Sequence, residues 1–142
     1  GYACASVNYR LAQEAAFPAG VEDVKSAIRF LRANAEKYGY DPERFAIWGE
    51  SAGGYLSVIC GASNDEEFNS VPFIGEDKNH PVSSEVQVIL DYYGCMEFGT
   101  MEDDYRELRI PKIVRWAASL WLRGQLKIPA TRMWNLIGCA RM

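Results

Sequence analysis

The sequence predicts an α/β fold with a mainly parallel sheet. Short apolar runs typical of buried strands alternate along the chain with longer stretches of helical periodicity. Strands joined through helices pair in parallel, and the crossovers are expected to be right-handed. With 142 residues, 49% of them apolar, the chain can build the core of one small domain.

The first predicted strand is "ACASVNY", residues 3–9, whose residues are mostly small, apolar or β-branched. A helix is predicted from Val21 to Tyr38, because apolar residues recur there at three- and four-residue spacing. Gly39 is expected at its C-terminal cap, and "YDPER" is expected to turn the chain toward the next strand.

The middle of the chain repeats this alternation. "RFAIWG", residues 44–49, predicts a buried strand, and "AGGYLSVICGA", residues 52–62, predicts a helix that is apolar on nearly all sides. Residues 63–84 are polar and predict a long surface loop. "EVQVILDYYG", residues 85–94, predicts the third strand.

The last third of the chain gives a weaker pattern. Residues 100–108, "TMEDDYREL", predict an acidic surface excursion. Residues 110–124 predict an amphipathic helix with Pro111 near its start. No element is assigned after Gly124.

Gly49-Glu50-Ser51-Ala52-Gly53 fits the pattern G-x-S-x-G at the junction of a predicted strand and a predicted helix. That position is what a nucleophile elbow requires, because the tight turn strains the serine backbone and lifts its hydroxyl out of the sheet. The two glycines let strand and helix approach, and the Ala52 N–H is expected to donate to a developing oxyanion. The alternative is a glycine-rich turn with an incidental serine.

A longer resemblance surrounds this motif. Residues 6–57, from "SVNYRLAQEAAFPAG" to "FAIWGESAGGYLS", are similar to the α/β-hydrolase superfamily, and specifically to acetyl-esterase and hormone-sensitive-lipase-like esterases. The matching positions are Tyr9 to Ala12, Phe17 to Ala19, Asp23 and Gly49 to Gly54, while Gln13 replaces the usual proline. The resemblance covers roughly residues 3–100.

The resemblance implies a carboxylic ester hydrolase with a Ser-His-Asp/Glu triad and an acyl-enzyme route. Ser51 would be the nucleophile and the Ala52 N–H one oxyanion donor, with no cofactor or metal. The substrate class it implies is a small-molecule, short-chain acyl ester such as an acetylated sugar. The fold implied is a partial α/β-hydrolase domain over residues 1–142, derived from three layers, with about three strands and flanking helices.

Parts of the family pattern have no counterpart here. The family's HGGG loop precedes the strand that begins this chain, and its acid and histidine follow two later strands. The sequence also starts without Met. We therefore expect an incomplete domain that is inactive by itself. One central strand of the family sheet is missing between the first two strands, which would leave a gap or pair directly, while the second and third remain adjacent.

Two residues are weaker candidates for the missing triad members. His80 is the single histidine, and it lies in the predicted loop before the third strand, where the family places no catalytic histidine. A solvated loop side chain is the expectation for it. Asp91, near the end of the third strand, is a low-ranking candidate for the acid, and capping of the following turn is the expected role.

Charge and cysteine content exclude other classes. A net charge of −4 with mixed signs disfavours a nucleic-acid surface, and no apolar run is long enough for a membrane span. Four widely spaced cysteines predict buried, reduced thiols in a cytoplasmic protein rather than a zinc site. Two other functions stay open: a non-catalytic binding module, and one part of a split esterase that a complementing chain completes.

Overall fold

The structure, a computed structural model, describes residues 1–97 and the backbone of residues 136–141. The acidic excursion and the amphipathic helix predicted for residues 100–108 and 110–124 lie outside this part. The described strands are β1 (Tyr2–Val7), β2 (Phe45–Glu50), β3 (Val88–Tyr92) and β4 (Leu136–Arg141). The described helices are α1 (Ala19–Ala33), α2 (Ala35–Tyr38) and α3 (Ala52–Ala62).

The strands of the described residues form one four-stranded sheet in the order β1-β4-β2-β3. β2 and β3 pair in parallel with Gly49 opposite Asp91, so the predicted adjacency of these two strands is confirmed. β4 runs antiparallel to both β1 and β2. The other three strands share one direction, so the α/β fold with a mainly parallel sheet is confirmed, but with four strands rather than about three.

Neither arrangement expected for β1 and β2, an open gap or direct pairing, is observed, because β4 lies between them. Gly138 lies opposite Ala5 on one side and opposite Ile47 on the other. This strand comes from the segment to which the sequence pattern assigned no element. The physical reason for its position is that the open edges of β1 and β2 would leave backbone N–H and C=O groups without partners. A strand between them provides hydrogen-bond partners for both edges.

The core lies between one face of the sheet and the helices α1 and α3. Burial alternates along β2, where Phe45 and Ile47 are buried and their neighbours are partly exposed. These two side chains join a cluster from the helices, made of Val21, Val24, Ile28, Leu56 and Cys60. α1 and α3 therefore pack on the same face of the sheet, as expected. Every residue of β3 is exposed, as suits an edge strand.

The helix predicted from Val21 to Tyr38 is divided in two. Asn34 separates α1 from α2, and its side-chain Nδ2 donates to the carbonyl oxygen of Phe30 at 2.8 Å. This local side-chain hydrogen bond competes with regular helical geometry. The predicted cap is confirmed, because Gly39 takes the left-handed conformation with φ 73° at the end of α2.

The predicted surface loop runs from residue 63 to residue 87 and is held by basic side chains of α1. Lys25 is fully buried, and its Nζ donates to the carbonyl oxygens of Asn64 at 2.6 Å and Glu67 at 2.8 Å. One turn later, Arg29 is also buried and forms a salt bridge with Glu76 at 3.0 Å. These cations on the inner face of α1 were not identified from the sequence.

A carboxylate inside the loop also ties its two ends together. Asp65 Oδ1 accepts hydrogen bonds from the backbone N–H and the hydroxyl of Ser84, both at 2.8 Å. Burial raises the pKa of Asp65, but the hydrogen bonds from Ser83 and Ser84 outweigh it and hold the pKa below its ordinary value. The loop is therefore closed as well as anchored.

The cysteines divide between core and surface. Cys60 is buried as expected, and desolvation raises the pKa of its thiol to about 12. The expectation of burial is wrong for Cys4, which is exposed because alternate residues of β1 face away from the core. Cys95 is partly exposed, and the side chain of Cys139 lies outside the described atoms.

Two further findings concern the residues that the structure describes. None of their helices combines the length and the apolar character needed to cross a membrane. No three His, Cys, Asp or Glu side chains among them lie close enough together to hold a metal ion.

Candidate active site

The candidate site is the turn between β2 and α3. β2 ends at Glu50, α3 begins at Ala52, and Ser51 between them has φ 52° and ψ −114°. A positive φ is uncommon for a residue other than glycine and marks local strain. The Ser51 N–H donates to the carbonyl oxygen of Tyr92 at 2.9 Å, which fixes the turn to the end of β3. The turn thus has the strained geometry that the G-x-S-x-G pattern predicts.

The glycines of the motif are required by the close approach of strand and helix. A Cβ atom on Gly49 would lie 2.2 Å from the carbonyl carbon and oxygen of Gly53. Next along the helix, a Cβ atom on Gly54 would lie 2.1 Å from Asp91 Oδ1. Neither position has room for a side chain. Gly49 and Gly54 of the extended pattern GESAGG are therefore required by packing.

Ala52 supplies the backbone donor next to Ser51. It is the first residue of α3, so its N–H lies among those with no partner inside the helix. The first turn of the helix starts with the Tyr55 N–H donating to the Ser51 carbonyl oxygen at 3.1 Å. The partial positive charge at this helix end favours an anion beside Ser51. This arrangement suits a backbone oxyanion donor.

Asp91 lies close to the elbow but is engaged in the turn after β3. Its Oδ1 accepts from the Gly94 N–H at 2.9 Å and contacts the first turn of α3 at Gly54. This is the capping role that the sequence favours for it. The carboxylate thereby braces the elbow from the β3 side.

A second contact across the same turn was missed by the sequence analysis. The Tyr93 hydroxyl donates to Glu50 Oε2 at 2.8 Å, and this hydrogen bond raises the pKa of Tyr93. Tyr93 also has a positive φ of 47°. Two strained residues, Ser51 and Tyr93, therefore lie on either side of one backbone hydrogen bond. The Tyr93–Glu50 contact could not be predicted from the sequence, because it depends on the register of β2 and β3.

His80 lies in the exposed loop, as predicted. Its Nδ1 is 2.7 Å from Asp77 Oδ2, and the hydrogen bond from His80 holds the pKa of that carboxyl below its ordinary value. His80 is the one histidine of the sequence.

A cavity of about 310 Å³ opens beside Ala52. One part of its lining is the segment from Tyr9 to Phe17, which follows β1, and the rest comes from the starts of α1 and α3. The segment from Tyr9 to Phe17 is tied to α1 by Arg10, whose guanidinium binds both carboxylate oxygens of Asp23 at 2.8 to 3.0 Å. This ion pair joins two positions that the resemblance singled out.

The comparisons with known proteins agree with this geometry. The family described as BD-FAE matches residues 1–134. This chain belongs to the BD-FAE family. Its structure also resembles a truncated form of a carbohydrate esterase from gut microbiota, with a TM-score of 0.61 and 31% identity, over 68% of this chain and 36% of that one.

Two curated relatives of this BD-FAE chain come from Mycobacterium tuberculosis. The probable carboxylic ester hydrolase LipM is 32% identical over 116 residues, covering 81% of this chain and 25% of LipM. Esterase LipC is 36% identical over 95 residues, covering 66% of this chain and 22% of LipC. The BD-FAE chain is a partial α/β-hydrolase domain, and it spans about a quarter of the length of these relatives, which are named as ester hydrolases.

Proposed function

We propose that this chain carries the nucleophile of a serine carboxylesterase. Ser51 attacks the carbonyl carbon of an ester, its hydroxyl proton passes to a base, and the alcohol leaves as an acyl-serine forms. The Ala52 N–H donates to the oxyanion, and water then releases the carboxylic acid. The observation that carries the proposal is the strained Ser51 backbone at the start of α3.

The base and the acid come from residues beyond these 142, either of a longer polypeptide or of a complementing chain. His80 is bonded to Asp77 in the exposed loop, and Asp91 is bonded to the Gly94 N–H. The second set of oxyanion donors comes from the same source. Loss of a triad member typically lowers the rate by about 10⁴-fold or more, so the isolated chain is expected to be nearly inactive.

The substrate we propose is a small ester with a short acyl chain, and the name of the gut carbohydrate esterase favours an acylated sugar. Nucleic acid is not a partner in this proposal, since the net charge is −4. A cytoplasmic location, which the cysteine content favours, remains a prediction.

The test uses p-nitrophenyl acetate hydrolysis by the isolated chain and by a chimera in which this chain replaces the matching 116-residue segment of LipM. We expect the isolated chain and its Ser51→Ala variant to be equally slow. The chimera should turn over, and Ser51→Ala should lower its rate by about 10⁴-fold. Ser63→Ala, in the loop after α3, is the matched control and should leave the rate unchanged. A folded chimera whose turnover is insensitive to Ser51→Ala would contradict the proposal.

A further inference from the structure

Two cysteines lie directly opposite each other on neighbouring strands of the sheet. Cys4 of β1 and Cys139 of β4 are partners in the register of these antiparallel strands. They are about 135 positions apart in the chain, so the fold alone brings them together. The spacing of the cysteines in the sequence could not indicate this pair, because it depends on where β4 enters the sheet.

The backbone spacing of such a pair suits a disulfide bond. Residues directly opposite each other in an antiparallel pair lie on the same face of the sheet, with Cα atoms about 4.5 or about 5.5 Å apart. A disulfide bridges Cα atoms that are about 4.4 to 6.8 Å apart. Either spacing lies within this range, so Cys4 and Cys139 meet the Cα distance condition without a movement of the two strands.

The pair lies on the face of the sheet that is turned away from the helices. Burial alternates along β1, and Val7 packs against the core formed with α1 and α3. Cys4 is an odd number of residues from Val7, so it belongs to the other face, and it is exposed. A small oxidant can therefore reach the Cys4 thiol from solvent.

The two remaining cysteines are poor alternatives as partners. Cys60 of α3 is buried, and desolvation raises the pKa of its thiol to about 12, which keeps it in the unreactive protonated form. Cys95 follows β3, and β2 separates β3 from β4. Neighbouring strands are about 4.8 Å apart, so two strands in these positions are about 10 Å apart, beyond the reach of a disulfide.

We propose that Cys4 and Cys139 form a reversible disulfide that links β1 to β4. The oxidant is a small disulfide such as oxidised glutathione. The Cys4 thiol loses its proton to solvent, and its thiolate attacks one sulfur of the oxidant and expels a first small thiolate. The Cys139 thiolate then attacks the Cys4 sulfur of this mixed disulfide and expels the second. Two protein thiols are oxidised, and the small disulfide is reduced to two thiols.

The link makes the sheet harder to unfold under oxidising conditions. It closes a loop of about 135 residues, and loops of this length restrict the unfolded chain strongly. It also holds β4 against β1, while β4 pairs on its other side with β2, the strand that leads to Ser51. The disulfide is thus a redox-dependent staple of the scaffold, and it does not depend on the proposed esterase chemistry.

Peptide mapping tests which cysteines are linked. The isolated chain would be equilibrated with reduced and oxidised glutathione, its remaining thiols alkylated, and its peptides identified by mass spectrometry. We expect one internal disulfide, between the peptides of Cys4 and Cys139, in a monomeric chain with Cys60 and Cys95 alkylated. A link from Cys4 to Cys95, a link between two copies, or a glutathione adduct at Cys4 without an internal link would overturn the proposal.

Urea unfolding tests whether the link staples the sheet. The midpoint of the oxidised chain should exceed that of the reduced chain by about 1–2 M. This difference should vanish in Cys4→Ser and in Cys139→Ser and persist in the matched control Cys95→Ser. Each oxidised sample is compared with the reduced sample of the same variant, so an effect of the substitution on folding cancels. If Cys139→Ser does not fold, Cys4→Ser, at an exposed position, carries the same expectation. Equal midpoints for the oxidised and reduced chain would overturn the staple.

Discussion

The tight turn between β2 and α3 imposes a strained backbone conformation on Ser51. Its φ of 52° is stabilised by the hydrogen bond to Tyr92 and by the contact of Gly49 with Gly53. At this scale the sequence is informative, because G-x-S-x-G is a local pattern whose spacing follows from the turn itself. The partners of Asp91 and Glu50 depend on strand register, and only the turn-capping role of Asp91 was predicted.

Substitution of Gly49 tests the close approach at the elbow. Gly49→Ala would place a Cβ atom 2.2 Å from the Gly53 backbone, so strand or helix has to move. We expect a loss of about 3 kcal/mol in the free energy of unfolding, measured in urea. Gly75→Ala is the control, because Gly75 has φ 87° but open space around it, and should cost about 1 kcal/mol. Equal losses would refute the steric role of Gly49.

Gln13, which replaces the family's proline, places an unsatisfied polar side chain inside the protein. Its side-chain oxygen and nitrogen are buried and have no hydrogen-bond partner among the described residues. Gln13→Met removes this conflict and should raise the free energy of unfolding by about 1 kcal/mol. Gln87→Met should have the opposite effect, because Gln87 Oε1 accepts from the Phe45 N–H at 2.8 Å. A destabilised Gln13→Met variant would contradict this account.

At the scale of elements, the basic side chains of α1 organise the surface loop. Lys25 and Arg29 are one turn apart on the buried face of the helix and bind groups in residues 63–87. The apolar spacing predicted one helix from Val21 to Tyr38, which the structure divides at Asn34 into α1 and α2. It gave no reason to expect that charged residues share its buried face, since such residues are buried only when the tertiary structure supplies partners.

Arg29→Met tests the anchoring of this loop. The change leaves Glu76 partly buried without its partner and removes bonds to Asn69 and Val71. We expect a loss of about 3 kcal/mol in the free energy of unfolding, and faster amide hydrogen exchange over residues 63–87. Arg44→Met is the matched control, because the Arg44 side chain is 59% exposed in its pair with Asp41, and it should cost less than about 1 kcal/mol. Unchanged exchange in Arg29→Met would contradict the anchoring role.

At the scale of the molecule, the unexpected feature is the position of β4. The sequence order of β1, α1, β2, α3 and β3 predicted the α/β fold, because each element has a local periodicity. The β4 segment has no such periodicity, and it pairs with strands that lie about ninety or more residues earlier in the chain. Long-range pairing of this kind is decided by which backbone edges are left open, and a local pattern contains no information about that.

Gly138→Pro tests whether β4 stabilises the sheet. The proline removes an N–H at the residue that lies opposite both Ala5 and Ile47, and proline is excluded from the middle of a sheet. We expect a loss of about 3 kcal/mol or more, seen as a lower midpoint of urea unfolding. Met142→Pro, just after β4, is the control and should change the midpoint little. If the midpoint is unchanged in Gly138→Pro, β4 does not hold β1 and β2 together in solution.

The claim that Ser51 is an esterase nucleophile is tested most directly by covalent labelling. The chimera with LipM would be treated with a fluorophosphonate, and the modified residue would be located by mass spectrometry. We predict one adduct, on the peptide that contains Ser51, absent from Ser51→Ala and retained in Ser63→Ala. A folded, active chimera that is labelled at a different residue, or equally in Ser51→Ala, would contradict the account.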